Sequence, residues 1–395
     1  MEALYTKKQI ELQQRARALA EQVMRPVAAK HDVEQSFPWE VQAAIRDAGL
    51  YGVWIPEQYG GMGGGVLDLC LVVEEFSRAC GGMGVAYAVN ALGSFPILVG
   101  GTDDQKQRWL PRVASGEAMI SFGLSEKAAG TDAGSMITRA EKVGNRYLIN
   151  GEKKWNTGGS VASLNTIFAV TAPGRGARGI SGFVVEKGSP GYRVGKHEDK
   201  MGIRCVPVVE LHLENCEVPP ENLLGGAEGH GFKHAMQTLD RARPGVAAQA
   251  VGLAQGALDL AMQYTHERQQ FGQTIDSFQG VQWMLADMAT QIEAARQLVH
   301  HAARTIDSGH KQISKLSAMC KLMATDTAMK VTTDCVQLFG GYGFCKDFPI
   351  EKYMRDAKIT QIYEGTNQVQ RLVIARSLLR EAASSGAGGG GEATS

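Results

Sequence analysis

One carboxylate, that of Glu364, stands in a short segment with several features that favour acid–base chemistry. An aromatic residue precedes it, and a glycine and the start of a helix follow it within residues 361–368. Thr366 is a suitable N-cap for that helix, because Val369 and Leu372 continue at helical spacing. A short loop that runs into a helix N-terminus presents free backbone N–H groups, so it can hold a general base beside donors for a developing oxyanion. A surface glutamate in an ordinary turn has the same local pattern, and the rest of the chain decides between the two interpretations.

Two segments in the middle of the chain suit the binding of a flat ring with polar edges. Residues 122–134 read as a strand that leaves into a glycine-rich loop edged with hydroxyls, which can bond a ring edge or phosphate oxygens. In residues 154–159, Trp155 supplies a large flat face and Thr157 a donor. An ordinary strand–loop–strand and a core tryptophan at a strand end are the competing interpretations.

Three segments in the last part of the chain suit a diphosphate or a charged substrate. Arg268 can pair with a pyrophosphate through two hydrogen bonds, although a helix that ends on a basic residue looks similar. Residues 337–343 place glycines after a long helix and so expose backbone N–H groups, as a plain helix terminator would. Asp240 and Arg243 are three residues apart and share a helix face, which is also the spacing of a solvated ion pair.

The composition narrows the class of protein. The chain has 395 residues, 44% apolar and 21% charged, as in a globular protein with two or three packed units. Its 41 basic residues balance 41 acidic ones, so no electrostatic footprint for nucleic acid or an anionic membrane is visible. No apolar run approaches the roughly 20 residues that span a bilayer, and no signal peptide is recognisable. The predicted location is a reducing interior: the bacterial cytoplasm, or the mitochondrial matrix for a processed eukaryotic chain.

The cysteines and histidines give no sign of a metal site. None of the seven cysteines stands two residues from another, and most lie in apolar segments, so buried free thiols are predicted. The nine histidines lack any HExxH or similar spacing. No metal is predicted.

The pattern of apolar and polar residues along the chain predicts an α+β fold in three units. Residues 1–118 read as an N-terminal helical domain, and residues 119–230 as a middle β domain, a barrel or sandwich, with short alternating runs. Residues 231–383 show long amphipathic stripes and predict a C-terminal four-helix bundle. Residues 384–395 are rich in glycine, serine and alanine and are predicted to be a disordered tail.

Glycine-containing dipeptides predict the turns. Gly144-Asn145 predicts a hairpin turn, and Asn150-Gly151 predicts a second turn soon after it. The glycine cluster in residues 59–65 lacks the phosphate-loop pattern and predicts a turn at which backbone approaches backbone closely. No GxGxxG follows a predicted strand, which disfavours a nicotinamide dinucleotide fold.

Together, and in a chain with an α–β–α order of domains, these segments resemble the acyl-CoA dehydrogenase family, flavoproteins that oxidise acyl-CoA thioesters. The resemblance extends from the first helix to about Arg380. It implies that FAD is bound without a covalent link. The cofactor-binding residues that it implies are Phe122, Leu124, Ser125, Thr131, Trp155, Thr157, Arg268, Phe271, Gln279, Gln337, Gly340, Gly341, Thr366 and Gln368. Among these, Arg268, Phe271 and Gln279 are expected to contact the cofactor of a neighbouring subunit. The implied substrate-binding residues are Leu239, Asp240, Arg243, Tyr363 and Gly365.

Two positions matter for how the family pattern applies to this chain. Lys127 stands where the family usually has proline, which bears on the rigidity of the loop beside the cofactor. Some branches of the family carry the base on the helix that contains residues 239–243, but the matching residue here is Ala242, which cannot act as a base. Glu364 is therefore the candidate base.

The resemblance implies a specific reaction. Glu364 takes the α-proton of an acyl-CoA thioester while a hydride leaves the β-carbon for flavin N5, which yields a 2,3-enoyl-CoA. Electrons then pass to an electron-transferring flavoprotein, and the shared cofactor site implies at least a homodimer, with a tetramer expected. A flavin oxidase or monooxygenase acting on a non-CoA substrate is one alternative; a catalytically silent scaffold relative is another.

Overall fold

The computed structural model describes residues 4–387, and the side chains of the last helix up to residue 384. The first unit is helical, as predicted. A π-helical turn, Ala20–Met24, joins α1 to α2 without a break. The helices are α1 (Lys7–Leu19), α2 (Arg25–Glu34), α3 (Trp39–Asp47), α4 (Val66–Ala79), α5 (Gly81–Gly100) and α6 (Asp103–Ala114).

The glycine cluster between α3 and α4 is a turn with a close backbone approach, as its sequence predicts. A Cβ atom on Gly61 would lie 1.9 Å from the carbonyl oxygen of Ile55. Only glycine fits at this position without moving the backbone. The turn directs the chain into α4, one of the core helices.

One helix of the first unit is long and apolar enough to span a membrane, contrary to the expectation that no apolar run approaches that length. Helix α5 has 20 residues and a mean hydropathy of 1.5. Within the fold, 78% of its most apolar window is buried. The helix packs between α4 and α7 and against β1, so its apolar character is explained by the core that it forms.

The middle unit is a β-sheet, again as predicted. Its order is β1-β4-β2-β3-β7-β6, with β5 paired to β4. Strands β1 and β4 run parallel, whereas β2 and β3 form the hairpin that Gly144 closes. The strands are β1 (Ile120–Gly123), β2 (Arg139–Val143), β3 (Arg146–Thr157), β4 (Leu164–Val170), β5 (Ile180–Glu186), β6 (Tyr192–His197) and β7 (Val208–Val218).

The turn expected at Asn150-Gly151 was wrong. Both residues lie inside β3, where the register against β7 shifts between Ile149 and Gly151. Gly151 adopts φ 147°, and a Cβ atom there would lie 2.5 Å from Oγ1 of Thr138. The glycine therefore permits a bulge and a close approach between strands, which are the other structural uses of a glycine in a strand.

The last unit is helical. Two short strands, β8 (Gln269–Gln270) and β9 (Gln273–Thr274), form a hairpin after its first helix. The last helix continues beyond the expected boundary at residue 383, and residues 388–395 of the predicted tail lie outside the described residues. The helices are α7 (Gly231–Glu267), α8 (Gln279–Asp307), α9 (Ser314–Leu338), α10 (Ile350–Thr360) and α11 (Asn367–Ala387).

The apolar stripe read from the sequence of α9 is not its most buried face. Met319 and Leu322 are half-buried and Met323 is exposed, and the three line a groove of about 550 Å³ beside α8 and α11. The face turned inward, against α7 and α10, carries Ala324, Ala328 and, unexpectedly, Lys321. These three residues therefore do not occupy fully buried core positions.

Candidate active site

The loop that carries Glu364 connects α10 to α11 in a conformation that is unfavourable for an ordinary residue. Glu364 has φ 52° and Gly365 has φ 92°, so two successive residues lie in the left-handed region. For a non-glycine residue this costs on the order of 1–3 kcal/mol unless surrounding contacts impose it. The loop closes through the N–H of Asn367, which donates to the carbonyl of Gln361 at 3.0 Å. Thr366 caps α11 by accepting the N–H of Val369 at 3.3 Å, as predicted.

Helix α9 contacts this loop on both sides of Glu364. The Lys321 ammonium donates to the carbonyl of Gly365 at 3.0 Å and to Oδ1 of Asn367 at 2.8 Å. The carboxylate of Asp326 accepts the side-chain amides of Gln361 and Asn367, each at 2.7 Å. These contacts fix the residues on either side of Glu364 and so compensate for its strained backbone.

Helix α7 approaches the loop from another side. The guanidinium of Arg243 donates to Oδ1 of Asp240 at 2.8 Å and, through Nε, to the carbonyl of Glu364 at 3.5 Å. The Tyr363 hydroxyl donates to Oε1 of Gln249. Three of the predicted substrate residues, Asp240, Arg243 and Tyr363, are therefore brought together around Glu364. Their assignment to substrate stays a prediction.

The environment of Glu364 prepares its carboxyl to take a proton. Its Oε2 atom is buried and makes no hydrogen bond within the described residues. Burial raises the pKa of Glu364 to about 7, and the nearby cations of Arg243 and Lys321 oppose that rise. Burial likewise lowers the pKa of Lys321 to about 7, opposed by Glu364. A carboxyl with a pKa near neutrality can act as a general base at working pH.

The segment that follows β1 is fixed by a buried ion pair that the sequence analysis missed. Nζ of Lys153 lies 2.7 Å from Oε1 of Glu126, and Lys153 is fully buried. The carboxylate of Glu126 also accepts the backbone N–H groups of Ile137 and Thr138, at 2.7 and 3.0 Å. This arrangement ties the two ends of the glycine-rich loop together. The strand pattern offers one signal for it, because Lys153 falls on the inward-facing side of β3.

The predicted ring-binding residues lie on and around this loop. Phe122, Leu124 and Leu239 pack in one apolar cluster, which joins the loop to α7 one turn before Arg243. The hydroxyls of Ser125, Thr131 and Thr157 make no hydrogen bond within residues 4–387, and all three residues are at least partly accessible. Trp155 adopts φ 64° and is 57% exposed, with the Lys154 ammonium 4.8 Å from its ring centroid. These groups present an open aromatic face and free hydroxyls, as a polar-edged ring requires.

A second constellation forms a separate cavity of about 440 Å³ at the C-terminal end of α7. Arg268, Gln337, Gly340 and Gly341 all line it. The guanidinium of Arg268 is exposed and lies 5.6 Å from the ring centroid of Tyr342. A basic group beside accessible glycine backbone suits a diphosphate.

Two further predicted cofactor residues, Phe271 and Gln279, are not among the residues that line this cavity. Phe271 sits at the tip of the β8–β9 hairpin with φ 54° and is 93% exposed, edge-on to Phe278 at 6.1 Å. Gln279 is the exposed first residue of α8. The open ring of Phe271 is accessible to a neighbouring molecule. Gln368 is exposed in the first turn of α11, directly after the loop that carries Glu364.

Lys127, the departure from the family pattern, lies exposed in a tight turn. The backbone groups of Glu126 and Ala129 pair in both directions, at 3.0 and 3.2 Å. Lys127 occupies the second position of this four-residue turn, where proline is favoured. Its N–H makes no hydrogen bond in the described part of the chain.

Replacing Lys127 with proline is expected to change the free energy of unfolding by no more than about 1 kcal/mol, because no hydrogen bond is lost and the turn accommodates proline. Urea denaturation of the native chain, Lys127→Pro and the control Lys127→Ala tests this. A loss above about 2 kcal/mol in the proline variant alone would show that the backbone at Lys127 is incompatible with proline.

Comparisons with known proteins agree with this arrangement. The models of the N-terminal, middle and C-terminal domains of acyl-CoA dehydrogenases match residues 6–117, 121–216 and 229–379. The probable acyl-CoA dehydrogenase FadE25 of Mycobacterium tuberculosis is 49% identical over 370 residues, which cover 94% of this chain and 95% of that protein.

Two solved structures have the same fold. A chain in the structure described as "Electron transferring flavoprotein of Acidaminococcus fermentans: Towards a mechanism of flavin-based electron bifurcation" is 49% identical, with a TM-score of 0.94, covering 96% of this chain and 100% of that one. Butyryl-CoA dehydrogenase from Megasphaera elsdenii is 41% identical, with a TM-score of 0.92, covering 95% and 99%.

The fold and the site define a flavin-dependent oxidoreductase that acts on CH–CH bonds. The chain belongs to the acyl-CoA dehydrogenase family. Its residues fit FAD: the unbonded hydroxyls of Ser125 and Thr157 and the open face of Trp155 suit the ring, and the exposed guanidinium of Arg268 suits the diphosphate.

Proposed function

We propose that this chain oxidises a saturated acyl-CoA thioester to the 2,3-enoyl-CoA with Glu364 as the base. The observation that carries the proposal is the buried, unpartnered Oε2 of Glu364, on a carboxyl whose pKa burial raises to about 7. A carboxylate that has no other hydrogen-bond partner is free to bond the proton of a substrate. Ala242, at the alternative base position, is buried and carries only a methyl group.

The backbone of the same loop supports the other half of the step. The N–H of Glu364 makes no hydrogen bond in the described residues, so it is free to donate to the thioester carbonyl. A donor at that oxygen stabilises the negative charge that develops as the α-proton leaves. When bound, FAD would supply an oxidised ring as the acceptor for the hydride of the β-carbon. The hydrogen bonds of Tyr363 to Gln249 and of Gly365 to Lys321 hold the residues on either side of Glu364 in place.

The comparisons guide the choice of substrate and electron acceptor. The likeness to butyryl-CoA dehydrogenase supports a short, straight acyl group as the first substrate to assay. The likeness to a chain in the electron-transferring flavoprotein structure supports such a flavoprotein as the acceptor. The exposed rings of Phe271 and Phe344 support a homo-oligomer that covers them.

Anaerobic mixing of the FAD-loaded protein with butyryl-CoA tests the reaction. We expect the flavin absorbance to bleach and to return when an electron-transferring flavoprotein is added. Absence of bleaching with butyryl-CoA and with a panel of longer, branched and aryl acyl-CoA esters would contradict the proposal. Rapid return of colour with oxygen alone would instead indicate an oxidase.

The pH dependence of the reaction should report the buried carboxyl. Because Glu364 must be ionised to accept a proton, kcat/KM is expected to rise with pH up to about 7 and then level off. Below that pH it should fall about tenfold per unit. Steady-state rates between pH 5.5 and 9 with an artificial acceptor measure this, and a profile that is flat through pH 7 would contradict it.

A further inference from the structure

We propose that Lys321 is a positioning residue for the reaction: it locks the loop around Glu364 through Gly365 and Asn367, and it supplies a buried positive charge beside that loop. The inference rests on the proposed role of Glu364 as the base. Nothing in the sequence pattern singled out this lysine, because it lies in a helix with lysines on several faces.

The position of Lys321 is unusual for a lysine. Its side chain is buried between α9 and the loop that carries Glu364. Its Nζ donates hydrogen bonds only to the carbonyl of Gly365 and to Oδ1 of Asn367, both neutral oxygens. No carboxylate lies within ion-pair distance of it among residues 4–387. A buried ammonium with neutral partners is costly unless a nearby negative charge offsets it.

The charges around the base identify Glu364 as that negative charge. Arg243 on α7 and Lys321 on α9 are the two cations that act on Glu364, whereas α11 contributes the neutral amide of Gln370. Arg243 is already paired with Asp240. Lys321 is acted on by Glu364, Arg243 and, from its own helix, Asp326.

Asp326 is itself engaged elsewhere, since it accepts hydrogen bonds from Gln361, Asn367 and Arg371. The cation of Lys321 therefore remains the one near the base that is not committed to another carboxylate by an ion pair in the described chain. In a buried site two such groups titrate together, and each favours the charged form of the other. Lys321 thus keeps Glu364 ionised at a pH where burial alone would protonate it.

Replacing Lys321 with methionine tests the inference, because methionine keeps much of the side-chain volume without the charge. The control is Lys330→Met, which removes an exposed lysine from the same helix. We expect FAD-loaded Lys321→Met to show the acid limb of kcat/KM about one pH unit higher than the native protein, and so about tenfold lower activity at pH 6. Lys330→Met should keep the native profile.

A second variant separates charge from loop geometry. Lys321→Gln keeps an N–H donor for the carbonyl of Gly365 but carries no charge, so it should show the same upward shift as Lys321→Met. Lys321→Arg, which keeps the charge, should restore a profile closer to the native one. A uniform loss of activity at every pH, an unchanged profile, or failure of both uncharged variants to fold and bind FAD would overturn the proposal in favour of a purely structural lysine.

The bleaching of the native protein distinguishes a failure of the proposed function from a failure of the proposed role of Lys321. If the native protein does not bleach with any acyl-CoA, the proposed function and the role of Lys321 fall together. If it bleaches and Lys321→Met keeps the native pH profile, only the role of Lys321 is wrong.

Discussion

Replacing Glu364 with glutamine is expected to lower the rate of flavin bleaching by butyryl-CoA by about 10²- to 10⁴-fold, the usual contribution of a general base. Glutamine has nearly the same shape but cannot take a proton. The buried Oε2 atom makes no hydrogen bond that the substitution would break, so the fold and the bound FAD should be retained. Stopped-flow absorbance, with flavin content and melting temperature measured on the same samples, tests this.

The control is Glu141→Gln, the same substitution at an exposed position of β2. It should bleach at the native rate. If the Glu364→Gln variant loses its flavin, its lower bleaching rate says nothing about the base. The flavin content is therefore measured first. Bleaching within about threefold of the native rate in a variant that retains FAD would place the base elsewhere.

Replacing Glu126 with alanine is expected to destabilise the protein by about 3–5 kcal/mol at pH 7, the range for removing one partner of a buried ion pair. The substitution leaves the buried Lys153 ammonium unpaired and removes the acceptor of two backbone N–H groups, those of Ile137 and Thr138. Burial already lowers the pKa of Lys153 to about 8, and loss of the carboxylate lowers it further.

Because the pKa of Lys153 falls further in the variant, the loss of stability caused by Glu126→Ala depends on pH. In the variant, stability rises with pH from the further lowered pKa of Lys153 upward, whereas in the native protein this rise begins only near pH 8. The destabilisation should therefore shrink between pH 7 and pH 9. Urea denaturation at both pH values measures it, with Glu141→Ala as the exposed control. A loss below about 1 kcal/mol at pH 7 would show that the ion pair does not hold the loop.

The outline of the fold could be predicted from the sequence because its signals are local. Alternation along residues 208–214, long apolar stripes in the last unit and the turn at Gly144 each follow from neighbouring residues. Strand β6 lacks such a local signal: it follows Pro190-Gly191 and has few apolar residues, so that its sequence resembles a polar connection. Its pairing with β7, a contact between distant segments, is what makes it a strand.

The candidate site was predictable only in part, for the same reason. The N-cap at Thr366 and the pairing of Asp240 with Arg243 depend on spacing along one helix, and both are present. The left-handed conformation of Glu364 is imposed by contacts from α7 and α9, which no local pattern contains. Lys321 and Lys153 were overlooked because a lysine in a polar–apolar pattern indicates solvent, whereas here distant oxygens pair with both.

Hydrogen exchange at the α-carbon of a substrate that cannot complete the reaction tests the central claim most directly. The thioester 3,3-dimethylbutyryl-CoA has α-hydrogens but no β-hydrogen, so only proton removal can occur. In D₂O, the FAD-loaded native protein is predicted to exchange its α-hydrogens, as followed by mass spectrometry, and Glu364→Gln is predicted not to. Exchange at the native rate in Glu364→Gln would contradict the assignment of the base.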